Sequence, residues 1–499
     1  MNKPLRTVAI LCGILFAALL LNVTYLQYVA TGKYDNDARN RRVIDEQYSR
    51  DRGAILVGRT PIAESVPSQD QYKYKRVYAN PKLYAPVTGY FAYGGAVTGL
   101  EKSQNSILSG SDSRLFVNRL VDLIGNQGPE GGDVETTINP KAQQAAYTGL
   151  SKLPASSGAP VEGAVVAIEP STGKILALAS YPSFDPNSLV GHDFAAGQKA
   201  YDALAADKTQ PLLDRAVQLA LAPGSTFKTV TATAAINNGI YNAGSTVPGG
   251  DSFQLPLTHG PTGLVSNEGR NCGVTTTTFA QGMENSCNTV FAPMAIKVGA
   301  AKMLETAQGF GFNSQYFDQL QGTNGKSVTA TSTYPRDPNL AQLGQTGFGQ
   351  FDVRATPLQM AMVAAGIANK GVVMKPYLVD QIQSANSDVV ATTQPEQLST
   401  ASSPQAAAGV TQLMVDTVNH GTASPGAIPG IQVAGKTGTA QAGNPNIPPY
   451  AWYISFAPAD NPKVAVAVLI QQANIPRNDI GGGLWGGPIA GAVMKAVLQ

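Results

Sequence analysis

No charged residue occurs between Arg6 and Lys33. Val8 to Leu21 is almost wholly apolar, and Asn22 to Val29 is mixed, with Tyr25 and Tyr28. About 20 apolar residues span a bilayer as a helix, and tyrosines belong at its interface with water. A cleaved signal peptide is the alternative, but Asn22-Val23-Thr24-Tyr25 offers no small-x-small cleavage site after Leu21. The sequence therefore predicts a cytoplasmic tail at 1–7, an uncleaved transmembrane anchor at 8–29, and the rest of the chain outside the membrane. Lys3 and Arg6 favour an inside N-terminus. Arg39, Arg41 and Arg42 on the far flank oppose them, but long domains translocate largely regardless of charge.

The chain has 499 residues, too many for one ordinary core, so two or more domains are expected. Charged residues make up 14%, below the roughly 25% of typical soluble proteins, which points to a folded protein with a well-paired polar surface. A net charge of +2 gives no sign of nucleic-acid binding. Three cysteines and three histidines exclude a disulfide scaffold and argue against a structural zinc site. No metal or organic cofactor is expected. A Ser-His-Asp arrangement would need His192, His259 or His420, each in a Gly- or Thr-containing loop without a nucleophile-elbow sequence.

Two regions follow the anchor. In the first, 33–155, Arg50-Asp51-Arg52-Gly53 reads as a turn into a strand. Tyrosines at 72, 74, 78, 84, 90 and 93 among polar residues and Gly suggest β-rich structure. Asp133 to Asn139 alternates like a strand, and Pro140 opens a helix running to about Leu153. With no nucleophile–base pair, this region reads as a spacer or docking module. Residues around 154–160 are linker-like. In the second region, 160–499, Ala164–Glu169 and Lys174–Ser180 form a hairpin. Helices are expected over Ser225–Asn238 and Thr356–Asn369, strands over Gln432–Thr439, Trp452–Ala457 and Val464–Gln471, and a final helix over Ile489–Leu498. Strands at both ends with helices between predict an α/β (multidomain α+β) protein in which both ends of this region complete one sheet.

Three short motifs carry chemistry. In Ala222-Pro223-Gly224-Ser225-Thr226-Phe227-Lys228, Pro-Gly breaks the chain and Ser225 enters a helix. Ser225 and Lys228, three apart, share a face, so a serine hydroxyl has an amine as its own base. Ser286-Cys287-Asn288 offers a hydroxyl and an amide on one turn; alone it is an ordinary helix cap. In Lys436-Thr437-Gly438-Thr439, strand alternation puts Lys436 and Gly438 on one face and Thr437 and Thr439 on the other, with Gly438 leaving room for a ligand backbone. Gly430 to Thr437 also matches the P-loop pattern letter for letter. That mechanism needs a buried strand before the loop and a helix after it. Ala427-Ile428-Pro429 supplies no apolar strand, and Gly443-Asn444-Pro445 no helix.

Ser-x-x-Lys, Ser-x-Asn and Lys-Thr-Gly in this order resemble the signature of penicillin-binding proteins and serine β-lactamases. Their spacing suits the larger transpeptidase domains. Leu213-Asp214-Arg215-Ala216, Gly347-Phe348-Gly349-Gln350 and Thr356-Pro357-Leu358-Gln359-Met360-Ala361 resemble further stretches of that domain. Arg50-Asp51-Arg52-Gly53-Ala54-Ile55 and Gly99-Leu100-Glu101 resemble boxes of the N-terminal module of class B members. The chain is thus similar to monofunctional class B penicillin-binding proteins, with its nearest likeness among actinobacterial ones. Val57-Gly58-Arg59-Thr60 departs from the family's usual Asp-Arg-Asn-Gly turn.

The resemblance implies a transpeptidase domain with a central antiparallel sheet flanked by helices. It implies a peptidoglycan D,D-transpeptidase that cross-links stem peptides ending in D-Ala-D-Ala through a serine acyl-enzyme, is acylated by β-lactams and serves septation. Lys228, held neutral by burial and by Lys436, would take the Ser225 proton; Ser286 would relay it to the leaving D-alanine. Asn288 would hold the substrate amide and orient Lys228. Lys436, Thr437 and Thr439 would bind the terminal carboxylate beside Gly438, and the backbone N–H groups of Ser225 and Thr439 would form the oxyanion hole. Division proteins would dock on the N-terminal module. A D,D-carboxypeptidase uses the same residues with water as acceptor, and a non-catalytic β-lactam or peptidoglycan sensor is the reading from another class. Cys12 falls in the anchor. Cys272 and Cys287 both lie outside the membrane, free to pair or to remain thiols.

Overall fold

The computed structural model describes residues 3–30, 34, 45, 48–93, 96–115, 130–156, 158–443 and 447–499. Arg39, Arg41, Arg42 and the expected start of the first region at residue 33 lie outside the described residues. Lys3–Thr24 is an α-helix continued by a π-helical turn over Tyr25–Val29. No residue of the helix is buried, and an 18-residue window within the 27-residue segment has a mean hydropathy of 2.3. At 1.5 Å per residue it reaches roughly 40 Å, longer than the ~30 Å hydrocarbon core.

The N-terminal module is built on a six-stranded sheet. Its order is Val389–Thr392, Val379–Gln383, Asp133–Thr136, Ile55–Val57, Thr60–Pro67, Tyr74–Tyr78. Two of these strands thus come from the second region of the sequence. The departing turn Val57-Gly58-Arg59-Thr60 closes a hairpin, with Val57 paired to Thr60 and Gly58 at φ 59°. The two N-terminal boxes meet in one buried cluster. Glu101 accepts from Arg52 Nε and Arg76 Nε at 2.7 Å each and from the Tyr78 hydroxyl at 3.1 Å. Both arginines and the glutamate are buried. Such a triad holds only while all three charges are present. The tyrosine pattern is not all β: Tyr74 and Tyr78 lie in a strand, but Tyr84 lies in helix Pro81–Thr88. Left-handed Asn80 followed by Pro81 restarts the chain as a helix.

The second sheet runs Ala434–Ala440, Tyr450–Ala457, Val464–Gln472, Glu162–Ile168, Ile175–Tyr181, antiparallel throughout. Both ends of the region do complete it. Its strands are buried almost end to end because both faces are covered. Successive residues point to opposite faces, so Val166, Trp452 and Ala467 join one core while Val165, Tyr453 and Val468 join the other. Helices Pro357–Ala368 and Pro404–His420 cover the first face; Pro140–Ser151 and Gly487–Leu498 cover the second. Helix Pro140–Ser151 is capped by the Asn139 side chain. It packs so closely on the final helix that a Cβ on Gly149 would meet Ile489 at 2.8 Å. The helix read from sequence as the end of the N-terminal region therefore packs as part of this second body. The lysine strand Ala434–Ala440 is at the sheet's edge.

Candidate active site

Three chain segments converge at that edge. Gly224–Phe227 is a 3-10 turn leading into helix Lys228–Asn237, so the helix expected from Ser225 begins at Lys228 and Ser225 lies in the tighter turn that feeds it. The turn lies against the lysine strand because glycines stand where they touch. Gly224 has φ 53°, and a Cβ there would lie 2.7 Å from Thr439 O; one on Gly438 would lie 2.9 Å from Pro223 O. Gly438 therefore makes room for the serine turn rather than for a ligand backbone, because its face of the strand looks inward. Gly349, at φ 73°, accepts from Gly224 N at 3.1 Å and fixes the turn from a third direction. Trp452 Nε1 donates to Ala222 O at 3.0 Å, tying the sheet to the same loop.

Ser286 adopts φ 56°, an uncommon value for a residue with a side chain. Helix Asn288–Val298 starts just after it, with Cys287 as its N-cap residue and no side-chain capping bond. Ser286 is therefore not a helix cap; its left-handed backbone aims both of its oxygens at the two lysines. Lys228 Nζ donates to Ser286 O at 2.6 Å and to Asn288 Oδ1 at 2.8 Å, and lies 3.2 Å from Ser286 Oγ. Lys436 Nζ donates to the same Ser286 Oγ at 2.9 Å and to Thr437 O at 3.0 Å. Asn288 Nδ2 donates to Ser266 O at 2.9 Å, which settles the orientation of its amide. Among the described residues no hydrogen bond reaches Ser225 Oγ, which leaves that atom available to a substrate. Cys287 is bonded to Cys272, with 5.9 Å between their Cα atoms.

Both lysines are completely buried. Burial, then Lys436, then Arg270 hold Lys228 well below the ordinary lysine range; burial and Arg270 do the same for Lys436. Uncharged, Lys228 has two N–H donors and one lone pair. Ser286 O and Asn288 Oδ1 take the donors, so the lone pair is free to accept a proton. Ser225, Asn288 and Thr439 line a cavity of about 90 Å³ with Glu268, Arg270, Phe348, Gln350 and Gln441. Thr437 is turned away from it, its hydroxyl 2.8 Å from that of Thr422. Sequence reasoning missed Glu268 and Arg270. Their only signal was Cys272 close behind them, whose disulfide brings the loop against the Ser286 turn. Arg270 Nε donates to Asn267 O at 2.7 Å, and the guanidinium pairs with Glu268 at 3.2 Å.

Residues 163–499 match the penicillin binding protein transpeptidase domain, and residues 52–134 the penicillin binding protein A dimerisation domain. The chain is 42% identical over 506 residues to the peptidoglycan D,D-transpeptidase PbpA of Mycolicibacterium smegmatis, covering 100% of this chain and 99% of the relative. It is 41% identical over 503 residues to the PbpA of Mycobacterium tuberculosis, with the same coverage. Penicillin-binding protein A from M. tuberculosis, solved as a penicillin G acyl-enzyme complex, superposes with a TM-score of 0.83 at 41% identity. That match covers 90% of this chain and 100% of the solved one. An imipenem acyl-enzyme complex of the same protein gives 0.82 at 40% identity, covering 91% of this chain and 100% of the solved one.

Proposed function

This chain belongs to the penicillin-binding protein transpeptidase family, and from that premise we propose that Ser225 is the nucleophile of its active site. The protein is a class B penicillin-binding protein, a serine-type peptidoglycan D,D-transpeptidase acylated by β-lactams. The observation that carries the site assignment is that Ser286 O and Asn288 Oδ1 accept from the amine of Lys228 while Lys436 donates to the Ser286 hydroxyl. Serine and base thus share one segment, and the relay and the second lysine come from two others.

Ser225 Oγ attacks the carbonyl carbon of the penultimate D-alanine, and its proton passes to the Lys228 lone pair. The backbone N–H groups of Ser225 and Thr439 hold the developing oxyanion, each donor worth roughly 3 kcal/mol. The C–N bond then breaks, and the proton returns through Ser286 Oγ to the departing D-alanine nitrogen. An amine of a neighbouring stem peptide attacks the ester and releases Ser225. Lys436, Arg270 and the Thr439 hydroxyl present the donors and positive potential for the terminal carboxylate. Thr437 supports the strand through Thr422 and shapes this end of the cleft, with Gly438 keeping the serine turn in contact.

The apolar helix from Lys3 to Val29 suggests a single-pass membrane anchor. We assign the N-terminus to the cytoplasm, the remainder to the outside, and the N-terminal module to contacts with division proteins during septation. Labelling of the full chain with a fluorescent penicillin tests the site. Wild type labels, Ser225→Ala does not, and equal labelling of the two removes the assignment.

A further inference from the structure

Two cavities of about 230 and 260 Å³ lie apart from Ser225 and share Tyr90, Tyr201 and Thr323 in their linings. The first sits in the seam between the N-terminal module and the transpeptidase domain. Pro86 and Tyr90 line it from one side, and Phe184, Leu212, Asp214 and Leu320 from the other. Most of that wall is apolar or aromatic. Two of its residues nonetheless keep buried polar atoms with no hydrogen-bond partner, Ser183 Oγ and Asp214 Oδ2. Buried polar groups ordinarily have partners, and those that do not call for an explanation.

The charge balance around Asp214 is one-sided. Its Oδ1 accepts only from Ala216 N, at 3.0 Å. The adjacent Arg215 does not cover Oδ2: its guanidinium donates to Gln471 Oε1, Gln210 O and Thr209 O, and pairs with Glu162 at 3.3 Å. The local cation is thus already neutralised, and Asp214 has no ion pair among the described residues. Burial lifts its carboxyl to about 7, so a cation arriving at neutral pH would draw it to the carboxylate form and release its proton. An apolar chamber lined also by an unpartnered hydroxyl and by a carboxyl with no ion pair complements one kind of ligand. The volume is below the ~300–1,000 Å³ of drug-sized sites, so that ligand is small.

We propose that the seam cavity is a binding site for a small primary amine with an apolar or aromatic body, its ammonium donating to Asp214 Oδ2 beside Ser183 Oγ. The body lies against Tyr90, Phe184, Leu212 and Tyr201. The site shares no residue with the Ser225 cavity. Its 211–218 wall leads directly into the serine turn through Leu221, whose N–H donates to Ala355 O at 3.0 Å. An occupant therefore braces the two domains next to the segment that delivers the nucleophile.

The test uses the full chain in micelles, with Ser225 first acylated by penicillin G so that the catalytic cleft is filled. Binding of 4-fluorobenzylamine is followed by fluorine NMR in wild type, Asp214→Asn, Ser183→Ala and Leu212→Trp, each shown to be folded by its fluorescent-penicillin labelling before acylation. Saturable binding to wild type is expected. Affinity should fall at least tenfold in Asp214→Asn and more modestly in Ser183→Ala, and binding should vanish in Leu212→Trp, where the indole fills the chamber. The neutral 4-fluorobenzyl alcohol should bind at least tenfold more weakly than the amine. Binding equal across the four proteins, binding lost on acylation of Ser225, or no saturable binding beyond the micelle background would each overturn the proposal.

Discussion

Asn288→Asp is an isosteric change with a calculable consequence. Asn288 Oδ1 lies 2.8 Å from Lys228 Nζ, and the substitution puts a carboxylate oxygen there. At an effective dielectric of about 20, two unit charges at that distance attract by ~6 kcal/mol. The new carboxylate also has to be desolvated, which offsets much of this gain. At 1.36 kcal/mol per pH unit, a residue of about 1.5–3 kcal/mol moves the titration of Lys228 upward by about 1–2 pH units. The sign is fixed. A carboxylate favours the ammonium form, so at any given pH less of Lys228 is free amine and less can take the Ser225 proton. Acylation by a fluorescent penicillin, followed by stopped flow from pH 5 to 10, should therefore slow by about 10–100-fold on the acid side of the profile, where Lys228 is mostly ammonium. Rate should return as pH rises, with the ascending acid limb of the profile displaced alkaline. Asn288→Ala is the control: it loses the same hydrogen bond without adding charge, so its rate falls with no alkaline displacement. An Asn288→Asp profile that coincides with wild type, or with the Asn288→Ala profile, would refute Lys228 as the base.

Ser286→Ala removes the hydroxyl that both lysines contact; proton transfer by a positioned side chain contributes about 10²–10⁴-fold, so acylation should drop at least tenfold in the same assay while thermal stability changes little. Reducing Cys272–Cys287 frees the loop that carries Glu268 and Arg270. Closing a loop of this length contributes about 3 kcal/mol on the chain-entropy account, so calorimetry should show a lower Tm, and acylation should slow several-fold; unchanged values after thiol titration confirms two new thiols would exclude the tether. Glu101→Gln leaves Arg52 and Arg76 buried beside a neutral amide. Breaking such a cluster costs about 3–5 kcal/mol, which limited proteolysis should register as early cleavage within 52–115, before cleavage of the penicillin-labelled domain. Burial raises the Asp214 carboxyl to about 7, above its unfolded value, so the folded state holds an extra proton between about pH 4 and 7. That stabilising contribution is complete at acid pH and is lost as pH rises to 7. Urea unfolding at pH 4.5 and 7.0 should show the decline in wild type and a flatter response in Asp214→Asn.

The parts of the molecule that sequence reveals are those whose physics is local. Glu162–Ile168 with Ile175–Tyr181 and the three C-terminal strands announce themselves through apolar runs bounded by turns, and two covered faces explain why those runs hardly alternate with polar residues. Pro140 and Pro357 each open a helix that the preceding Asn or Thr side chain caps. The strands over Val379–Gln383 and Val389–Thr392 are different. Nothing in their composition tells a reader that they extend the sheet of the N-terminal module, because pairing across more than two hundred residues leaves no local mark. The site divides in the same way. Chemistry needs a serine, an amine and an amide, so those residues stand out in short motifs. Which atoms they bond depends on backbone geometry: the left-handed Ser286 turns a sequence that looks like a helix cap into the bridge between two lysines. Gly438 makes the point from the other side. An open position on an edge strand reads as room for a ligand, yet its missing Cβ admits Pro223 and Thr226 of the serine turn. Substituting Gly438 by alanine should therefore disturb the position of Ser225 as well as substrate binding. The expected signature is a fall in the acylation rate at saturating penicillin, not merely a weaker apparent affinity; a pure affinity change would return Gly438 to the ligand side.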